Sequence, residues 1–126
     1  MAADMQPVQS VAIIGAGNMG SGIAQKTAQE EFDVQMVDRE AQWVERGQSI
    51  IADFLSEAVE RRIFSPQQVA DIQGRITGVI GTENTAADTD LVIEAVFEDF
   101  DIKTAVFNTL NEVCGDKTIL ASNTSS

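Results

Sequence analysis

Apolar and polar positions alternate in two rhythms along this chain, and the rhythm changes repeatedly. Val11-Ala12-Ile13-Ile14 is a continuous apolar run, as in a strand buried on both faces. It leads into Gly15-Ala16-Gly17-Asn18-Met19-Gly20, and a helical pattern follows from Ser21 to about Glu30. A second run, Val34 to Val37, ends in Asp38. Trp43, Val44, Ile50, Ile51, Phe54, Leu55, Ala58, Val59 and Ile63 then recur at helical spacing. This predicts a helix from about Glu40 to Arg62, ~34 Å long at 1.5 Å per residue, which projects beyond the sheet. Gly47 lies inside it and weakens it slightly. Ser65-Pro66-Gln67-Gln68 starts a shorter helix: Ser65 is the N-cap, Pro66 suits the first helical position and Gln68 completes a capping box. That helix ends near Gln73-Gly74, so residues 40–74 read as a helical hairpin with Arg61-Arg62 at its tip.

Four further elements follow. Ile76 to Ile80 reads as a third strand, and residues 81–90 as a polar loop with room for one helical turn. Leu91 to Val96 is a fourth strand, another continuous apolar run. Asp101 to about Val113 is a helix with Ile102, Val106, Phe107, Leu110 and Val113 on one face and Gly115 at its end. Thr118 to Ser122 is the fifth strand. Alternating strands and helices imply an α/β fold, a doubly wound parallel sheet of Rossmann type with right-handed crossovers. The expected strand order is 3-2-1-4-5, with the hairpin inserted after the second strand. Ligands in such sheets bind beyond the carboxyl ends of the strands, where the order reverses. The glycine turn, residues 94–99 and residues 122–126 should meet there.

The chemistry of the first sixty residues then becomes specific. In strand–G-x-G-x-x-G–helix, the first glycine permits a turn, the second lets backbone approach a pyrophosphate, and the third lets the helix pack on the strand. The helix N-terminus offers N–H groups and the positive end of its dipole to phosphates. Asp38 stands where a carboxylate accepts hydrogen bonds from an adenosine ribose. An acid there repels a 2′-phosphate, which favours NAD over NADP; Arg39, next to it, carries little weight against Asp38. Gly15, Ala16, Gly17, Asn18, Met19, Gly20 and Asp38 are the predicted cofactor-binding set.

Charge and composition narrow the partners. The 126 residues carry 8 basic and 20 acidic side chains, for a net charge of −12. That argues against nucleic acid and anionic membranes, so binding an anionic dinucleotide must rest on local N–H groups and a few placed cations. No apolar run approaches membrane length, and residues 1–10 read as a polar tail. The single cysteine, Cys114, allows no internal disulfide, which fits the cytoplasm; it reads as a small apolar residue near a helix end. There is no histidine, and no metal site is expected.

Several motifs combine at this point. Gly15 to Gln25, Val37-Asp38, Glu94-Ala95-Val96-Phe97-Glu98, Lys103 and Ala121-Ser122-Asn123-Thr124-Ser125-Ser126 together resemble the NAD-binding domain of 3-hydroxyacyl-CoA dehydrogenases. The helical hairpin is also a feature of that family. The resemblance implies that Glu98 and Lys103 contact NAD near its nicotinamide ribose, that Ser125 contacts substrate and cofactor, and that Arg61, in place of a lysine, lies near the coenzyme A moiety. Phe54 stands where some members have a substrate-contacting serine. On the residues alone, Glu98 and Lys103 read as a surface ion pair and Ser125 as a turn serine. The family's catalytic histidine and helical second domain follow the S-N-T-S-S segment, so no catalytic residue is expected within these 126, and the chain reads as the cofactor domain of a longer 3-hydroxyacyl-CoA dehydrogenase; a related sugar-acid or hydroxy-acid dehydrogenase and a non-catalytic dinucleotide-binding module are the alternatives. The fifth strand would be an uncovered edge in this chain, which predicts self-association into a homo-oligomer.

Overall fold

The computed structural model describes residues 8–95, 100–115 and 117–122. Strand β1 (Ser10–Ile14) is followed by helix α1 (Asn18–Gln29), strand β2 (Asp33–Asp38), helices α2 (Ala41–Glu60) and α3 (Pro66–Gly74), and strand β3 (Ile76–Ile80). A 3-10 turn at Thr82–Asn84 leads to strand β4 (Leu91–Glu94), helix α4 (Phe100–Val113) and strand β5 (Ile119–Ser122). The five strands form one sheet in the order β3-β2-β1-β4-β5, all neighbours parallel. This is the doubly wound topology expected from the pattern.

The central strand explains the two layers. Val11 and Ile13 point to one face and Ala12 and Ile14 to the other, and all four are buried. The first pair joins Ala24, Ala28, Val34, Met36, Ile51, Leu55 and Ile72 beneath α1, α2 and α3. The second pair joins Val37, Val92 and Leu110 beneath α4. Burying a side chain the size of Ile13 contributes about 1.5–3 kcal/mol, so an apolar run without polar interruption is what a central parallel strand requires. Cys114 packs at the edge of the second cluster, and burial pushes its thiol up from the ordinary value; it behaves as the small apolar residue expected.

The element bounds differ from the sequence reading in places that have local causes. Helix α1 starts three residues early because Gly17 serves as its N-cap. Helix α2 stops at Glu60: Arg61 is its C-cap and Arg62 takes a positive φ of 60°, which turns the chain toward α3. Strand β4 ends at Glu94 rather than at residue 96, because its partner β1 turns away at Gly15; the last rung is the Ala95 N–H donating to the Ile14 carbonyl at 2.8 Å. The capping box of α3 forms as expected. Ser65 Oγ accepts from the Gln68 N–H at 3.2 Å, and Gln68 Oε1 accepts from the Ser65 N–H at 2.8 Å.

At the amino end of the sheet, Asp90 ties β1 to β4. Its Oδ2 accepts from the Gln9 N–H and the Ser10 N–H, both at 3.0 Å, and from the Ser10 hydroxyl at 3.2 Å. The Gln9 and Ser10 amides hold this carboxyl below the usual carboxylate range, against a smaller opposing effect of burial. A carboxyl whose pKa is lower folded than unfolded stabilises the fold above its unfolded value of about 3.9, and that stability fades as pH falls through the folded value. Asp90→Asn should therefore be less stable than the parent at pH 7, with the gap closing below about pH 4. Urea titrations of both proteins from pH 7 to pH 3 check this; a gap independent of pH would contradict it.

Candidate functional site

The carboxyl ends of four strands lie side by side. Ile14 of β1 is in register with Val37 of β2 and with Glu94 of β4, and Glu94 is in register with Ser122 of β5. The order reverses between β1 and β4, where a ligand crevice forms in sheets of this type.

The glycine turn is built by three contacts. Gly15 adopts φ 115°, a region closed to side-chain-bearing residues, and its N–H donates to the Val37 carbonyl at 2.6 Å. A Cβ on Gly20 would overlap the carbonyl oxygen and carbon of Gly15, so α1 lies against the backbone of the turn itself. The Ala16 N–H donates to Asp38 Oδ2 at 2.9 Å, which fastens the end of β2 to the turn. The other carboxylate oxygen of Asp38 accepts from the Arg39 N–H at 2.7 Å. Each oxygen has further lone-pair capacity for a ligand hydroxyl.

Gly17 differs from its two neighbours in the motif. Its φ is −74°, which any residue adopts, and a Cβ there would meet nothing within 4 Å. The fold makes no demand for glycine at this position, whereas a ligand lying close to the backbone would. Gly17 is the N-cap of α1 with no side-chain cap, and the first turn of α1 carries no acid. Donor groups and the positive end of a 12-residue helix dipole therefore face the crevice beside an open volume. Asn18 and Met19 begin that helix, and both are exposed. These features fit a dinucleotide: an anion-receiving helix end, room for a pyrophosphate, and a carboxylate for ribose hydroxyls.

Two supporting residues carry more than the pattern suggested. Gly47 is buried in α2, and a Cβ there would come within 2.7 Å of the Ala16 carbonyl oxygen and 2.9 Å of Met36 Cε. Its cost to helix propensity is offset by the close seating of α2 on the turn. Glu94, at the end of an otherwise apolar run, has a fully buried side chain, and Lys103 Nζ lies 3.9 Å from its Oε1. Glu98, the partner suggested for Lys103 from its position one helical turn away, lies outside the described residues, as does Ser125. Arg61 sits at the far end of α2, about 20 residues or ~30 Å along the helix from the Asp38 end, paired with Glu57 at 2.6 Å and largely exposed. It is not brought together with the glycine turn. A groove of about 260 Å³ at the other end of α1 is lined by Gln29, Glu30, Glu31, Asp71 and Arg75 among others; its three acids suit no anionic ligand. Among the described residues there is no group of three or more His, Cys, Asp or Glu side chains that could hold a metal ion. Nor is any helix there long and apolar enough to cross a membrane.

Fold and site together define a dinucleotide-binding domain of Rossmann type. Comparison with known proteins narrows the class. The profile of the 3-hydroxyacyl-CoA dehydrogenase NAD-binding domain matches residues 10–126. A probable 3-hydroxybutyryl-CoA dehydrogenase of Bacillus subtilis is 38% identical over 119 residues, covering 94% of this chain and 41% of that protein. The rice peroxisomal fatty acid beta-oxidation multifunctional protein is 35% identical over 118 residues, covering 94% of this chain and 16% of its own length. The crystal structure of (S)-3-hydroxybutyryl-CoA dehydrogenase from Ralstonia eutropha superposes with a TM-score of 0.90 at 35% identity, covering 95% of this chain and 42% of that one. The chain belongs to the 3-hydroxyacyl-CoA dehydrogenase family and is its NAD-binding domain. It spans about two fifths of the length of its first curated relatives.

The contrast between two glycines gives a direct test of this geometry. Gly20→Ala forces the turn and α1 apart and should cost about 1–3 kcal/mol or more. Gly17→Ala changes only an open N-cap position and should cost under about 1 kcal/mol. Thermal melts of the two variants check the order; equal losses would contradict the described packing.

Proposed function

We propose that this chain supplies the cofactor-holding half of an oxidoreductase that converts a 3-hydroxyacyl-CoA to the 3-oxoacyl-CoA. The observation that carries the reading is the joint of turn and acid: Asp38 bonded to the Ala16 N–H beside an open Gly17. In this reading the backbone from Gly15 to Gly20 and the start of α1 at Asn18 and Met19 hold the pyrophosphate. Asp38 accepts from the adenosine ribose hydroxyls and disfavours a 2′-phosphate at the same place. Lys103 and Glu98 orient the nicotinamide ribose, a role implied by the family resemblance and supported for Lys103 by its position facing the carboxyl end of β4. When bound, the nicotinamide supplies the hydride acceptor for oxidation of the hydroxyl.

Ser125 and Arg61 are assigned to the acyl-CoA substrate on the same resemblance. Arg61 has an exposed cationic head two helical turns from the exposed Phe54, on one face of α2. The reaction also needs a base for the hydroxyl proton. The 126 residues contain no histidine, so the reading assigns no catalytic group to them and expects no turnover from them alone. The edge strand β5, with Ile119 57% exposed, supports self-association of this chain. One cysteine and no disulfide fit a reducing compartment such as the cytoplasm.

Calorimetric titration of this chain with NADH and NADPH tests the reading. NADH should bind more tightly by at least about tenfold, the effect of one desolvated or repelled charge contact, and Asp38→Ala should narrow the gap. Gly17→Ala should weaken NADH while leaving the fold intact, and acetoacetyl-CoA should not be reduced above background. Equal affinity for the two cofactors, or clear turnover, would overturn it.

A further inference from the structure

Strand β4 presents Val92 and Glu94 to the same side as α4, yet only the first is apolar. The Glu94 side chain has no exposure at all, and it sits at the point where the strand order reverses, flanked by Ile14 on one side and Ser122 on the other in register. A carboxylate placed there opposes an anionic ligand and loses its hydration, so it persists only with a compensating cation and hydrogen bonds. Lys103 supplies the cation. Its ammonium lies 3.9 Å from Glu94 Oε1, and its side chain is 18% exposed against none for its partner. The pair is therefore open on the lysine side only.

We infer that Glu94 is a positioning residue that holds the Lys103 ammonium at the mouth of the crevice, aimed at the cofactor. Resting on the reading of Lys103 as a cofactor contact, this explains how a flexible lysine can serve a precise role. The lysine stem has four rotatable bonds and a compact charge with no fixed direction. A buried carboxylate on the rigid central sheet removes much of that freedom before a ligand arrives. The separation of 3.9 Å exceeds the 2.7–2.9 Å of a tight charge-assisted hydrogen bond, so the ammonium keeps donors for a ribose hydroxyl. The carboxylate orients it without occupying it. The same arrangement cancels the negative charge of Glu94 where an anion must approach.

The test is a double-mutant cycle on NADH affinity in this chain, with Glu94→Gln, Lys103→Met and the two combined. Glu94→Gln keeps shape and removes charge. It should weaken NADH by about 3- to 10-fold, and should add less than about twofold once Lys103 is already methionine, the coupling expected of groups in contact. A purely structural glutamate would give the same loss in both backgrounds, and that result would overturn the inference while leaving Lys103 as a cofactor contact. An unchanged affinity in Lys103→Met alone would instead overturn the role of Lys103. Nuclear magnetic resonance without cofactor tests the pairing itself. The Lys103 Nζ signal should shift in Glu94→Gln, and the Glu94 carboxylate carbon should shift in Lys103→Met; signals unmoved in both variants would overturn the inference. The second of these stays readable if Glu94→Gln does not fold.

Discussion

How closely two stretches of backbone approach one another at Gly15 and Gly20 decides the rest of the site. With no side chain at position 20, α1 rests on the carbonyl of the turn that leaves β1. That contact fixes where the helix begins and which way its dipole points. Ala16, the residue after Gly15, is then held from three directions: its N–H by Asp38, its carbonyl by the close approach of Gly47 of α2, and its methyl group by the core beneath the helices. Loosening any one of these moves the helix end relative to the carboxylate of β2. The distance between those two groups is what a dinucleotide spans, from pyrophosphate to adenosine ribose.

The electrostatic problem set by the composition has a local answer. A chain of net charge −12 does not attract an anion through its overall field. The site instead offers fixed dipoles at short range, where screening is least effective, and keeps acids out of the first turn of α1. Among the described residues, the acids at the crevice are engaged. Asp38 accepts two backbone N–H groups, and Glu94 faces Lys103. Many of the other described acids lie on exposed faces, two of them in the i,i+4 pairs Lys26–Glu30 and Arg61–Glu57, which contribute little individually.

Much of the fold was legible in the sequence because each signal had one physical cause. Unbroken apolar runs mark strands with helices on both faces, so β1 was readable from the pattern, and the order β3-β2-β1-β4-β5 followed from strand–helix alternation with right-handed crossovers in a doubly wound sheet. The capping box at Ser65 was readable for the same reason: two side chains and two amides at fixed spacing. What escaped was set by contacts distant in sequence. Gly47 reads as a weak point of a helix until Ala16 is placed against it. Glu94 reads as the polar end of a strand until α4 brings Lys103 over it. The end of β4 was overestimated because apolar character continues after the strand beside it has turned away.

The central claim is that cofactor is received at the joint of glycine turn, helix start and Asp38. Mapping amide shifts in an 15N-labelled sample titrated with NADH tests it most directly. The account predicts the largest shifts at Ala16, Gly17, Asn18, Met19 and Gly20, with Asp38 and Lys103 following the same saturation curve, and little change at Gln29, Glu31 and Arg75 at the far end of α1. Shifts centred on that far groove, or a turn left unmoved at saturation, would contradict it.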